Sequence, residues 1–150
     1  MNAIQIKNAV LAALAVAGST VAQALGGLDM VLRVLIGFML LDYATGWLVA
    51  ALWHRSGKSE TGALSSRAGF KGLIKKCTIL ALVWMARLLD LATGSDFVRD
   101  AVCLFFIANE GLSILENTAI MGVPYPAFIK NMLDAMREAA DKAGDDHAST

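Results

Sequence analysis

Apolar residues fall in four long blocks along this chain, and short polar segments separate them. A helix rises 1.5 Å per residue, so a run of about 20 apolar residues crosses a hydrocarbon layer of about 30 Å. The pattern therefore predicts an all-α integral membrane protein with three to four transmembrane helices. The predicted spans cover about residues 9–25, 30–53, 77–93 and 101–123.

The first block has two interpretations, which is why the number of spans stays open. Lys7 provides a basic start, and the triplet Ala22-Gln23-Ala24 has the small-x-small form of a signal-peptide cleavage site. The same block is also long enough to be retained as a first transmembrane helix. Asp29, directly before the second block, is a candidate N-cap.

The carboxyl-terminal region has a different pattern, in which apolar and charged residues alternate with helical spacing. Phe128, Ile129, Met132, Leu133 and Met136 share one face, and charged residues occupy the other. This predicts an amphipathic helix over residues 126–143 that lies on the membrane surface or pairs with a second copy. Residues 144–150 are predicted to be a disordered tail, and residues 1–150 a single membrane domain.

Composition supports a membrane protein, and the distribution of charge predicts its orientation. The chain is 57% hydrophobic with a mean hydropathy of +0.58 and a formal net charge of zero, which gives no reason to expect nucleic-acid binding. Basic residues concentrate between the second and third spans, where they oppose only Glu60. By the positive-inside rule this segment faces the cytoplasm, and so does the carboxyl terminus. The basic residues expected to set topology and contact anionic lipid are Arg55, Lys58, Arg67, Lys71, Lys75 and Lys76.

Polar side chains inside the apolar blocks are the candidate functional residues. Asp42 lies in the second block, and five polar residues of the fourth fall within about a third of the helix circumference. Since an intramembrane charge is costly against lipid, we expect these residues to line a pore or to make polar contacts between helices. The set is Asp42, Asn109, Glu110, Ser113, Glu116 and Asn117.

Arg87 and Asp90 form a second candidate pair. They lie three residues apart in the third block, which favours a mutual ion pair. Alternatively, one of them pairs with Asp42 or Glu110 on another helix. Neither the two cysteines nor the two histidines form a cluster with ligand spacing, so we expect no metal and no other cofactor.

Several stretches together resemble the bacteriophage lysis and toxin-secretion holin family, which includes the clostridial toxin-export holins. The resemblance covers about residues 34–142 and is most specific at residues 105–117, where Asn109-Glu110-Gly111 precedes Glu116-Asn117. The stretches that carry the rest of it are residues 41–46, residues 65–76, Asp90, residues 122–126 and the helix of residues 133–142.

The resemblance implies a protein without enzymatic activity that accumulates in the inner membrane of a bacterial host and forms homo-oligomers. Such an assembly opens lesions at a set time, through which an endolysin or an exported toxin passes. An antiholin, which joins and delays the same oligomers, shares most of this sequence pattern. A small proton-coupled transporter remains a further alternative, because it too uses an intramembrane acid.

Overall fold

The computed structural model describes residues 2–53 and 66–148, and all regular structure in these residues is helical. Five α-helices follow one another along the chain, and one π-helical turn, Val49–Trp53, continues the second. The α-helices are α1 (Ala3–Ala24), α2 (Met30–Leu48), α3 (Ser66–Thr93), α4 (Val98–Ile120) and α5 (Ala127–Ala148). Helix α3 begins earlier than the predicted span, and α5 continues past residue 143. Arg55 and Lys58 lie outside the described residues.

Two of the helical segments are long and apolar enough to cross a membrane: α1, and α2 together with the π-helical turn. They differ in how they pack. No residue of α1 is buried, whereas Leu32, Leu35 and Met39 of α2 lie in the protein interior. The core of the molecule is therefore built by the helices that follow α1.

Helix α4 is central, because α2, α3 and α5 all pack against it. Helices α2 and α4 run in the same direction, since Asp29 at the start of α2 binds Arg99 at the start of α4, and Thr45 binds Asn117 near their ends. Helix α3 runs the opposite way beside them. Its buried residues Ile79 and Val83 join the apolar core, which also contains Leu25, Leu32, Leu35, Met39, Cys103 and Ile107.

The turn between α1 and α2 fits closely against the bundle. Gly26 has a φ of +96°, a left-handed conformation that glycine adopts without the steric penalty of a side chain. A β-carbon at this position would lie 2.9 Å from Nε of Arg99, so the turn also leaves no room for a side chain. Asp29 then caps α2 as predicted, because its Oδ1 accepts the backbone N–H of Leu32 at 2.9 Å.

Helix α5 folds back along α4, whereas the sequence led us to expect a helix on the membrane surface or paired with a second copy. Leu133 is buried, and its two δ-carbons lie 2.9 Å from where a β-carbon on Gly111 would be. Phe38 of α2 contacts the same point, and Met136 packs against the apolar core. Leu133 packs between α4 and α2 because Gly111 leaves a gap that admits it, whereas Phe128 and Met132 of the same apolar face are 66% and 54% exposed.

Candidate functional site

Three helices each contribute one ionisable side chain to a buried group that we call the charge cluster: Asp42 of α2, Lys76 of α3 and Glu110 of α4. Their relative exposures are 3%, 8% and 1%, respectively. Asn117 of α4 and Thr45 of α2 extend the group at one side. The cluster is thus a contact among all three core helices.

Lys76 is at the centre of the charge cluster. Its Nζ lies 2.5 Å from Oδ2 of Asp42, and it also forms a salt bridge with the carboxylate of Glu110. Asn117 donates from Nδ2 to Oγ1 of Thr45 at 2.9 Å and to Oδ1 of Asp42 at 3.4 Å. Each charged member therefore has a partner on a different helix.

Burial makes this pairing necessary. An isolated charge in a protein interior costs several kcal/mol in lost hydration, and a partner of opposite sign recovers that cost only at close range. With all three groups ionised the charge cluster carries two negative charges and one positive charge. Lys76 compensates both acids at once, so removing the lysine would leave two buried carboxylates facing each other.

The structure brings together three of the six polar residues singled out in the sequence, namely Asp42, Glu110 and Asn117. Asn109 and Ser113 are half-buried on α4, and Glu116 is exposed. The three that meet make contacts between helices within one chain.

Lys76 was expected to contact lipid or set topology, but its side chain is buried. Arg67, Lys71 and Lys75, which were grouped with it, are exposed. Lys76 belongs to the buried stripe of α3, whose other members are Ile79, Val83, Ala86 and Asp90. These positions are three or four residues apart, the spacing of one helix face. That spacing is the sequence signal that distinguishes Lys76 from the exposed Lys71 and Lys75.

Asp90 also has a different partner from the predicted one. Its carboxylate caps α4 rather than pairing with Arg87: Oδ1 accepts the backbone N–H of Val98 and Oδ2 that of Arg99, both at 3.0 Å. The hydroxyl of Ser95 donates to the same carboxylate. The short connection after α3 returns the chain so that the unpaired N–H groups of α4 face Asp90, and a carboxylate there also interacts favourably with the helix dipole.

A second ionic contact, which the sequence did not reveal, joins Arg99 to the α1–α2 turn. Its two terminal nitrogens donate to the two oxygens of Asp29 at 2.6 and 3.0 Å, and its Nε donates to the carbonyl of Leu25 at 2.6 Å. Hydrogen bonding from Arg99 lowers the pKa of Asp29 below 3.8. This contact fixes the end of the bundle opposite Asn117.

Metal chemistry has no evident site in the part of the chain that the structure describes. No group of three or more histidine, cysteine, aspartate or glutamate side chains is arranged there to hold an ion. His54 and the side chain of His147 lie outside that part. The cysteines are free, Cys103 within the core and Cys77 exposed.

The fold and the charge cluster together define a helical protein that has two apolar segments long enough to cross a membrane and buried acids paired between helices. The model of the bacteriophage holin family matches residues 19–138, and the chain belongs to that family. Holins are membrane pore-forming proteins and not enzymes, so the protein has a holin-type role.

Relatives of this chain occur in bacteria and in a phage. An uncharacterized protein of Listeria monocytogenes is 41% identical over 109 residues, covering 72% of each chain. An uncharacterized protein of Clostridium perfringens is 37% identical over 110 residues, covering 72% of this chain and 76% of its own. A protein of Bacillus phage phi105 named a probable holin is 38% identical over 80 residues, covering 53% of this chain and 59% of its own. No solved structure matches the chain.

Proposed function

We propose that this protein oligomerises in the bacterial inner membrane and opens lesions at a set time, through which an endolysin or a toxin leaves the cytoplasm. Membership of the holin family supports this role. The observation that carries the proposal further is the charge cluster, because it occupies the interior of the bundle where a lumen through one chain would have to run. A lesion then forms between protomers, and the protein must assemble to act.

The proposed topology has three or four spans. Helix α2 with its π-helical turn crosses the membrane, α3 returns over residues 77–93, and α4 crosses again beside α2. The paired ends of α2 and α4, Asp29 with Arg99 and Thr45 with Asn117, support equal depth for these two helices. The basic residues before Lys76 support a cytoplasmic location for that end of the bundle and for the start of α5. Helix α1 is the fourth span if it is retained.

In this proposal the charge cluster holds α2, α3 and α4 together as one unit during assembly. A buried, fully paired polar network favours one relative arrangement of helices, because other arrangements leave a charge without a partner. Asp42, Glu110 and Asn117 therefore act between helices rather than at the lumen surface. Replacing one member changes how readily the bundle rearranges.

The test is inducible expression in a bacterial host together with a cytoplasmic endolysin. Culture density, membrane potential and released endolysin are followed with time. We expect growth to continue normally and then an abrupt loss of potential with escape of the endolysin. Retained potential and growth, with the protein confirmed in the membrane, would contradict the proposal and favour an antiholin or a transporter.

A matched pair of variants tests the role of the charge cluster. Glu110→Gln removes a buried charge that pairs with Lys76, whereas Glu116→Gln removes an exposed charge one to two turns further along the same helix. We expect Glu110→Gln to change the time of lysis and Glu116→Gln to leave it unchanged. If both variants lysed the host at the same time, with equal amounts of protein in the membrane, the charge cluster would have no role in the timing of lysis.

A further inference from the structure

The exposed surface of α5 carries a row of charged residues, beside the exposed Phe128 and Met132, although the helix packs against α4. Its apolar face contacts α4 through Leu133 and the core through Met136. On the other side Lys130 pairs with Asp134 at 2.9 Å, and their side chains remain 54% and 41% exposed. The other exposed charges of this face are Arg137, Glu138, Asp141 and Lys142.

These charges lie at the depth that α2 and α4 span. Helix α4 is aligned with α2 at both ends, and α5 runs back along α4 with Leu133 level with Gly111 and Phe38. Met136, one turn further, reaches the core that Leu35 and Ile107 share. The segment from Lys130 to Asp141 therefore lies alongside the middle of α4 rather than beyond its end.

Lipid is an unsuitable neighbour for this face. Charged side chains in the hydrocarbon layer are costly and in membrane proteins face protein or water. Other faces of the same molecule are suited to lipid: Leu40 of α2 is 66% exposed and Trp84 of α3, next to the core residue Val83, is 49% exposed. The folded chain thus has one surface for hydrocarbon and another for water at comparable depth.

We propose that the charged face of α5 lines the water-filled lumen of the assembled lesion while α5 remains docked on α4. The inference rests on the proposed function and assigns its lumen surface to Lys130, Asp134, Arg137, Glu138 and Asp141. The close fit of Leu133 against Gly111 keeps α5 in place, since both δ-carbons of Leu133 occupy the space left by the missing side chain.

The first experiment compares access of water to two positions near the same depth. Asp134→Cys and Leu40→Cys are made separately in the full chain with Cys77→Ala, and Cys103 is kept as a buried internal reference. After lesions have formed, the membranes are treated with a charged, membrane-impermeant thiol reagent. Because the thiolate is the reactive form and does not form in hydrocarbon, we expect labelling at position 134 to be at least about tenfold faster than at position 40.

The second experiment asks whether α5 stays docked when lesions open. The variant carries Phe38→Cys and Leu133→Cys, two positions that face the same gap at Gly111. A short, cleavable, membrane-permeant reagent that reacts with two thiols joins these cysteines before lysis begins. We expect the joined protein to form lesions as the unjoined protein does. Ile107→Cys with Met136→Cys is the substitute pair if the first variant does not accumulate.

The outcomes separate this inference from the proposed function. Lesions that are lost on joining and return on cleavage would show that α5 leaves α4, for example to lie on the membrane surface, and would overturn the inference alone. Equal labelling at positions 134 and 40 would also overturn it. If the Cys77→Ala chain and the native chain both form no lesions, the proposed function itself fails.

Discussion

At the scale of single residues, the most informative side chain is Lys76. It lies in a run of basic residues, yet its ammonium group is buried between the carboxylates of Asp42 and Glu110. Its neighbour Lys75 is exposed. Two adjacent lysines with the same chemistry thus have opposite environments, because consecutive residues of a helix point about 100° apart.

Replacing Lys76 should therefore destabilise the protein far more than replacing Lys75. Lys76→Met leaves two buried carboxylates without a cation, and we expect the free energy of unfolding to fall by about 3–5 kcal/mol. Lys75→Met should change it by less than about 0.5 kcal/mol. Denaturation of the purified proteins in detergent, followed by circular dichroism, measures both.

A double variant checks that charge, rather than packing, causes the loss. Lys76→Met/Glu110→Gln removes one buried positive and one buried negative charge, and it should be more stable than Lys76→Met alone. If the double variant were less stable than the single one, the pairing of Lys76 with Glu110 would not explain the effect.

The contact between Asp29 and Arg99 gives a defined dependence on pH. Because the pKa of Asp29 in the folded protein is below 3.8, the ionised carboxylate stabilises the fold above that pH, and the contribution disappears as the pH falls through the lowered value. Asp29→Asn removes this term but retains a side-chain oxygen that can cap α2. We expect the wild-type protein to have the higher melting temperature near neutral pH.

The measurement is thermal unfolding in detergent for both proteins from about pH 7 to about pH 2.5. The difference in melting temperature should be constant at neutral pH and shrink below pH 3.8. A difference that grew on acidification would contradict the assignment of the lowered pKa to the folded state.

At the scale of elements, α4 organises the molecule because each of its faces has a different partner. Glu110 and Asn117 face the charge cluster, Cys103 and Ile107 face the apolar core, and Gly111 receives α5. The first turn is held by Asp90 of α3 rather than by a cap within its own segment. The helix with the most polar stripe is thus also the one with the most helix neighbours.

Enlarging Gly111 should weaken the packing of α5. A β-carbon there would lie 2.9 Å from both δ-carbons of Leu133 and 3.1 Å from Cε1 of Phe38, so Gly111→Ala should cost about 1–3 kcal/mol. Gly37→Ala is the control, because a β-carbon on Gly37 would have no neighbour within 4 Å and alanine favours a helix. Denaturation in detergent should show Gly37→Ala to be neutral or slightly stabilising.

Reducing the opposing side chain tests the same contact from the other helix. Leu133→Ala relieves the overlap that Gly111→Ala creates. Leu133→Ala should therefore lower the free energy of unfolding less in the Gly111→Ala protein than in the wild type. Strict additivity of the two substitutions would mean that these residues do not press on each other.

At the scale of the whole molecule, the described residues form a bundle, α2 to α5, and a helix α1 that is not part of the core. No residue of α1 is buried, but the turn that follows it is fixed to the bundle. Leu25 is 5% exposed, and Arg99 binds both its carbonyl and the side chain of Asp29. The structural boundary of the bundle therefore lies before Leu25 and not at the start of α2.

Two truncations should accordingly behave differently. A chain that lacks residues 3–24 keeps the turn, and its bundle should unfold with a free energy within about 0.5 kcal/mol of the full chain. A chain that starts at Met30 loses Leu25 and Asp29 and leaves Arg99 with fewer partners, which should cost roughly 2–4 kcal/mol. Equal stability of the two truncated chains in detergent would refute this boundary.

Much of the helical structure was predictable because a helix depends on residues close in sequence. Apolar blocks and their flanking turns gave four of the helices, and Asp29 was identifiable as a cap from its place before Met30. The polar stripe of α4 was visible for the same reason, since a period of 3.6 residues places Glu110 and Asn117 on one side of the helix. Family membership was likewise recognisable from residues 105–117 and is confirmed.

The sequence by itself determined which segments become helices and which of their residues share a face. Tertiary structure alone decided the partners: Lys76 reaches Asp42 across 34 positions, Arg99 reaches Asp29 across 70, and Leu133 of α5 fits against Gly111. These choices depend on the rotation and register of one helix against another, which local periodicity does not specify. Rotation and register are fixed by the arrangement that pairs the buried charges and packs Leu133 into the space beside Gly111. Other arrangements leave a buried charge unpaired or an interior gap unfilled.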